Sequence, residues 1–220
     1  MKLTYTIQVC NESRELFSLL QFITRVKDEE DEINVVVDST NKTEKVDMVL
    51  EHFKDTVNVY ERPFDQFHVN AQFHIEKATG EYIFGMDADE MPQEMLIKNI
   101  KRIIEDTKAE VISIPRINIH PGITEQEAKD FGFHVNEVGF INWPDYQTRI
   151  FKKCDHIHWT DTLHTTLVGS DKIVGVKPNP SMALWHIKSM EKQKSRWKID
   201  DTGNYTIAPP SKTDLYDLLM

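Results

Sequence analysis

The sequence predicts an α/β fold, a mostly parallel central sheet flanked by helices with a smaller β region in the second half. Three observations carry this expectation. Short β-branched or aromatic runs alternate with helix-period segments through residues 3–108. The connections between them are short, as repeated βαβ units require. The apolar run Tyr82-Ile83-Phe84-Gly85-Met86 ends abruptly in Asp87, Asp89 and Glu90. A strand interior does not tolerate that charge, because burying an unpaired carboxylate is very costly. The acids must therefore emerge at the strand's carboxyl end, where open α/β sheets bind their ligands.

Each element follows in order. Residues 3–9 alternate as a first strand, broken by Cys10-Asn11-Glu12-Ser13, and Leu16, Leu19, Leu20, Ile23 and Val26 then recur at helical spacing. Residues 32–37 form a β-branched run that leaves into the polar turn Asp38-Ser39-Thr40-Asn41. A second helix carries Val46, Val49, Leu50 and Phe53, and a short strand covers 57–60. A third helix over 69–78 is expected to stop at Gly80, a residue suited to a helix C-terminus. The strand into Asp87 comes next, then an amphipathic helix with Met95, Leu96, Ile100, Ile103 and Ile104, where Pro92 suits the first turn.

After Ala109 the rhythm changes. Residues 111–119 are strand-like, and Pro121-Gly122 opens a long irregular stretch to about Trp143. Loops of that length inside compact domains usually serve as lids or binding loops, so 121–140 is expected to be one. Strand-like pieces follow at 148–152, 156–167 and 172–176, then a break at Pro178-Asn179-Pro180, a segment at 182–187 and a helix over 190–197. This divides the chain into one domain over 1–200, with halves at 1–108 and 109–200, and a tail over 201–220.

The composition sets limits. A chain of 220 residues with 40% hydrophobic content suffices for one substantial core. A formal net charge of −10 disfavours a broad grip on nucleic acid. Cys10 and Cys154 show no metal-type spacing and read as reduced thiols. The first residues are too polar for a signal peptide, and no apolar run is long enough to cross a bilayer. The expectation is a cytoplasmic protein without a transmembrane segment. No G-x-G-x-x-G follows the first strand and no G-x-x-x-x-G-K-[ST] occurs anywhere, which disfavours a dinucleotide oxidoreductase and a P-loop kinase.

Two aspartates separated by one small residue at a strand end suit a hard divalent cation, and such a cation commonly serves phosphate oxygens. That points to chemistry on a nucleoside diphosphate. The competing reading of Asp87-Ala88-Asp89 is a solvated acidic loop before a helix.

Four islands of sequence together resemble inverting glycosyltransferases of the GT-A fold, family 2. They are Val9-Cys10-Asn11-Glu12, Val37-Asp38-Ser39, Met86-Asp87-Ala88-Asp89-Glu90, and a C-terminal group. That group is Pro144-Asp145-Tyr146-Gln147-Thr148-Arg149-Ile150-Phe151, Trp159-Thr160-Asp161-Thr162-Leu163-His164 and Trp185-His186-Ile187-Lys188. The resemblance implies that Val9, Asn11 and Glu12 line a nucleotide pocket and that Asp38 accepts a hydrogen bond from the base. It places Asp87 and Ala88 by the ribose and metal, Asp89 as direct metal ligand, and His186 as completing the metal shell. Asn70 stands where an arginine-asparagine pair often lies in the donor pocket, here preceded by Val69, with His68 or Arg62 as substitutes for the missing arginine. Carboxylates with imidazole favour Mn²⁺ over Mg²⁺. Lys188 adds charge against the departing diphosphate.

Inversion requires a carboxylate base beside the sugar, on the face opposite the leaving group. Asp145, among the aromatics Trp143 and Tyr146, is the first choice and Asp161 the second, with Trp143 and His164 on the acceptor side. Related sequences often carry glutamate where Thr165 follows His164, and that departure keeps open a degenerate binding module. The expected activity is transfer from a nucleotide-sugar, a UDP-sugar for preference, to a saccharide or other hydroxyl. A sugar nucleotidyltransferase is disfavoured because Cys10-Asn11-Glu12-Ser13-Arg14 has no glycine to grip a triphosphate.

Overall fold

The computed structural model describes residues 1–160, 166–199 and 205–207. Four strands open the sheet, β1 (Leu3–Val9), β2 (Glu32–Asp38), β3 (Asn58–Arg62) and β4 (Tyr82–Asp87). They are parallel and lie in the order β3-β2-β1-β4. The chain winds outward from β1 to β3 and then crosses back to β4 on the other side of β1. This reversal makes a switch point between β1 and β4, where the ligand crevice of an open α/β sheet lies. Cys10-Asn11-Glu12 and Asp87-Ala88-Asp89 both sit at its carboxyl edge.

The helices α1 (Ser13–Val26), α2 (Glu44–His52), α3 (Phe67–Lys77) and α4 (Glu94–Thr107) connect these strands and continue the chain beyond them. Leu16, Leu19, Leu20 and Ile23 of α1 and Leu96, Ile97, Ile100 and Ile104 of α4 are buried in one core with Leu3, Tyr5, Ile7 and Val9 of β1. Each such Leu or Ile stabilises the fold by about 1.5–3 kcal/mol through burial. The other face of β1 is polar yet also buried, and α3 covers it. There Thr6 bonds His74, and Asn70 Nδ2 donates to Gln8 Oε1 at 2.6 Å.

The second half adds β5 (Glu90–Pro92), β6 (Val111–Ile119), α5 (Glu125–Asp130) and β7 (Ile141–Lys152). It continues with β8 (His158–Trp159), β9 (Leu167–Val168), β10 (Ile173–Gly175), a 3-10 turn at Pro180–Met182, β11 (Leu184–Ile187) and α6 (Met190–Arg196). β7 runs antiparallel between β4 and β6, while β11 joins β6 in parallel. β5 leaves the acidic loop and pairs antiparallel with β11, setting Glu90 opposite His186. Two small antiparallel pairs stand apart, β8 with β9, and β12 (Trp197–Ile199) with β13 (Tyr205–Ile207) across residue 200. Among the described residues, no helix is long and apolar enough to cross a membrane.

Several local expectations need correction. Gly80 does not end α3, which closes at Lys77 with Ala78 extended. The glycine is needed because a Cβ there would stand 2.7 Å from the Thr4 backbone nitrogen. Pro92 closes β5 rather than opening α4, whose N-cap is Gln93. The stretch after Pro121 contains α5, started by a capping box of Thr124 with Glu127. The strand expected at 148–152 begins earlier, at Ile141, because a bulge absorbs the intervening residues. Arg116 pairs with Asp145 and Asn118 with Ile141, so residues 142–144 bow out of the ladder. Of the segment 156–167, only His158–Trp159 and the start of β9 are strand, with 161–165 outside the described residues.

Candidate active site

The site lies at the carboxyl ends of β1, β2 and β4 and is closed from the far side by β11 and α6. Val9 and Asn11 are buried where β1 ends. Glu12 Oε2 accepts from the Cys10 and Asn11 backbone N–H groups, each at 3.0 Å, which curls the turn and leaves Oε1 facing the crevice. Asp38 ties the end of β2 to two neighbouring segments. Its Oδ1 accepts from Thr40 N and Phe64 N, and its Oδ2 from Asn41 Nδ2 at 2.7 Å. Among the described residues, one lone pair of Oδ2 is left for a ligand. Asn70 lies beneath the crevice floor, bonded to Gln8 and His74.

A chain of alternating charges underlies the acidic loop. Asp87 Oδ2 accepts from Arg149 Nη2 at 2.8 Å, and the same nitrogen reaches Glu90 Oε1 at 2.5 Å. Arg116 Nη1 donates to that Glu90 oxygen at 3.0 Å, and its Nε and Nη2 donate to Asp145 Oδ2 at 3.0 and 2.7 Å. Glu90 is wholly buried, and two guanidinium groups with the Asp87 N–H satisfy it. Such a network holds each carboxylate in one orientation. Ala88 is buried, and its N–H donates to Gln8 O at 3.0 Å, which fastens the loop to β1.

Asp145 also accepts from Asn118 Nδ2 at Oδ2 (2.8 Å) and from Gln147 at Oδ1 (2.9 Å). Among the described residues, three donors therefore occupy Oδ2, while Oδ1 keeps a lone pair. Asn118 passes this constraint on. With its amide nitrogen turned to Asp145, its Oδ1 faces His186 Nδ1 at 2.8 Å. His186 Nδ1 therefore carries a hydrogen, and its Nε2 lies 3.4 Å from Asp89 Oδ2. A neutral His186 would set two acceptors at that distance, which a cation between or beside them can bridge. An imidazole held through Nδ1–H by an amide oxygen, with Nε2 beside a carboxylate, suits a metal ligand. Asp89 and His186 thus fit a divalent ion as a pair. Among the described residues, no third carboxylate, imidazole or thiolate joins them, and the remaining positions would fall to phosphate oxygens and water.

The cation present beside Asp89 is Lys192, whose Nζ lies 2.7 Å from Asp89 Oδ2 and 3.7 Å from Glu12 Oε1. Burial opposes ionisation of Asp89, but Lys192 and His186 together hold its carboxyl well below the ordinary range. Lys188 is pushed down to about 8, chiefly by burial; Asp89 counteracts this, and Lys192, Arg196 and Arg116 add to it. The Lys188 backbone is pinned, with its N–H on Ile119 O and its carbonyl accepting from His120 Nδ1 at 2.6 Å. Sequence reading missed Lys192, Arg116, Asn118 and the role of Arg149. Lys192 and Arg196, four apart, share one face of α6, but that spacing does not reveal the carboxylate that Lys192 meets.

On the acceptor side, Phe140 lies edge-on between Trp143 (5.8 Å) and Trp185 (5.9 Å). His120, Phe133 and Phe131 form a stack with 5.4 Å between successive rings. Glu127 of α5 pairs with Lys194 of α6, so the segment expected to act as a lid is fastened to the helix that carries Lys192. A recess of about 520 Å³ lined by residues 134–138 lies on this segment and includes none of the residues described above. Asp161 and His164 lie outside the described residues.

Comparison with known proteins bears on the fold and the family. In solved structures, the chain is similar to S. aureus TarS 1-349, with a TM-score of 0.58, 15% identity, and coverage of 85% of this chain and 60% of that one. The same fragment in complex with UDP-GlcNAc aligns with a TM-score of 0.58 at 14% identity, covering 86% of this chain and 59% of that one. This chain thus spans about 60% of the TarS fragment's length, and at such identity the likeness is one of fold. No curated protein matches the chain in sequence. Residues 6–169 match the model of the family described as glycosyl transferase family 2. With a GT-A fold and that match over most of its length, the chain belongs to glycosyl transferase family 2.

Proposed function

We propose that this protein moves a sugar from a nucleotide-sugar donor to an acceptor hydroxyl, with inversion at the anomeric carbon. The observation that carries the reading is the meeting of Asp89 and His186 at the switch-point edge, one from the β4 loop and one from β11. A UDP-sugar is the preferred donor, because TarS, a neighbour in fold, is known in complex with UDP-GlcNAc. Val9, Asn11, Glu12 and the remaining Oδ2 lone pair of Asp38 would receive the nucleoside. Asp89 Oδ2 and His186 Nε2 would hold a divalent ion, Mn²⁺ in preference to Mg²⁺, which when bound supplies positive charge against the departing diphosphate.

The rest of the work belongs to side chains. Arg149 and Glu90 hold Asp87 and the loop in place, so that the donor meets a preorganised edge. Lys188 stands where its charge opposes that of the leaving diphosphate. The acceptor oxygen attacks the anomeric carbon as the bond to the diphosphate breaks, and the hydroxyl proton passes to a carboxylate. Asp145 Oδ1 is the proposed base, because that atom keeps a free lone pair in a side chain otherwise locked in orientation; Asp161 is the alternative. Trp143 offers a ring for acceptor stacking.

The test is release of UDP from a panel of UDP-sugars with saccharide acceptors. We expect turnover that Asp89→Ala abolishes without loss of the folded state. Asp145→Asn and Asp161→Asn distinguish the base, since only one of them should reduce kcat by about 10²–10⁴. UDP that binds but is never released from any donor and acceptor pair would replace this reading with that of a binding module.

A further inference from the structure

Lys192 occupies an unusual place in this crevice. Its ammonium lies 2.7 Å from the same Asp89 oxygen that His186 Nε2 faces at 3.4 Å. It also faces Glu12 Oε1 at 3.7 Å, and Glu15 of α1 lies close enough to feel its charge. The lysine side chain is 14% exposed, so this is an enclosed ion pair rather than a solvated one.

Its position is built into the chain. Met190 and Gln193 bury the inner face of α6, and the Lys192 N–H donates to Ser189 Oγ at 3.1 Å. A divalent cation and an ammonium beside one carboxylate oxygen repel one another strongly in a poorly solvated site. A divalent ion and the Lys192 ammonium therefore exclude each other at Asp89 Oδ2.

We propose that Lys192 is a tethered cation that fills the metal position at Asp89, competes with free divalent ions for it, and supplies its own charge to a bound diphosphate. The inference rests on the proposed nucleotide-sugar site and adds a consequence to it. In the metal-free protein the acidic edge is neutralised by the chain itself, and a diphosphate can approach it without a metal. A divalent ion binds tightly only when phosphate oxygens draw the ammonium away from Asp89.

The experiment measures two affinities on the full chain in wild type, Lys192→Met and Lys192→Gln, with circular dichroism to show that each variant is folded. The first is Mn²⁺ alone, followed by paramagnetic resonance of the free ion. Both variants are expected to bind Mn²⁺ at least about ten-fold more tightly than wild type, and equal or weaker binding overturns the proposal. The second is UDP in excess EDTA, followed by calorimetry. Wild type is expected to bind and the variants to bind at least about ten-fold more weakly, recovering when Mn²⁺ is restored. UDP binding that needs Mn²⁺ to the same degree in all three proteins overturns the charge-supply half. Absence of UDP binding under every condition overturns the proposed donor site instead, while the Mn²⁺ comparison still decides the competition at Asp89.

Discussion

Asn118 Oδ1 and His186 Nδ1 lie 2.8 Å apart, and this one contact decides which nitrogen of the histidine faces Asp89. Because Asn118 also donates to Asp145, a single amide orients both the expected metal ligand and the expected base. Replacing Asn118 by Ala frees the imidazole to rotate and change tautomer. Mn²⁺ affinity in the presence of UDP should fall about 10–100-fold, as it does when an outer partner of a metal-bound histidine is removed. Unchanged affinity in a Mn²⁺ titration would show that the amide does not set the ligand.

Glu90 tests the buried charge chain. Its carboxylate is wholly buried between Arg116 and Arg149. Glu90→Ala leaves two guanidinium groups short of a partner, which should cost about 3–5 kcal/mol of stability. Urea unfolding measures this, and a loss under 1 kcal/mol would mean that water or Asp87 takes over the pairing.

Gly80 and Gly122 separate crowding from backbone strain. A Cβ at Gly80 meets the Thr4 and Lys2 backbone, whereas one at Gly122 meets nothing within 4 Å but sits at a φ of +74°. Gly80→Ala should destabilise by about 1–3 kcal/mol through overpacking. Gly122→Ala should cost about 1–2 kcal/mol through the left-handed conformation alone. Thermal melts of the two variants, and of Gly122→Asn, which tolerates that region, distinguish the causes.

His74 predicts a pH dependence. Burial pushes it down to about 4 from an ordinary value of 6.5, with Asp87 opposing and Arg62 reinforcing the shift. The unfolded chain therefore binds a proton between pH 6.5 and 4 that the folded chain refuses. Its contribution to stability is complete above pH 6.5 and is lost as pH falls towards 4, on the order of 3 kcal/mol in all. His74→Gln should flatten the stability profile in that window. A wild-type slope retained in the variant would assign the effect to other groups.

The α/β alternation was legible because it depends on local periodicity. Residues 32–37 and 82–86 read as strands, and the spacing of Leu16, Leu19, Leu20 and Ile23 as a helix, from neighbours within a few positions. Gly80, Pro92 and the 142–144 bulge were misread or missed because their causes are not local. Gly80 answers to the backbone of Thr4, Pro92 to Leu184 across β5 and β11, and the bulge to the register between β6 and β7. Among the site residues, Asp87 and Asp89 could be singled out by residue type and position in the chain, and His186 through the family resemblance. Lys192, Asn118 and Arg116 could not, since nothing near them in sequence reveals the carboxylate each one faces.

The sequence by itself determined where charge must leave the sheet. A carboxylate cannot remain in an apolar strand, so Met86 followed by Asp87 already marks the edge of a crevice. Only the tertiary structure decided how that charge is balanced. The pairing of β5 with β11 sets His186 beside the acidic loop, and α6 then places Lys192 on Asp89. Ion pairing falls off with distance in space and is blind to separation along the chain, so partners that lie far apart in sequence become known only once the chain has folded.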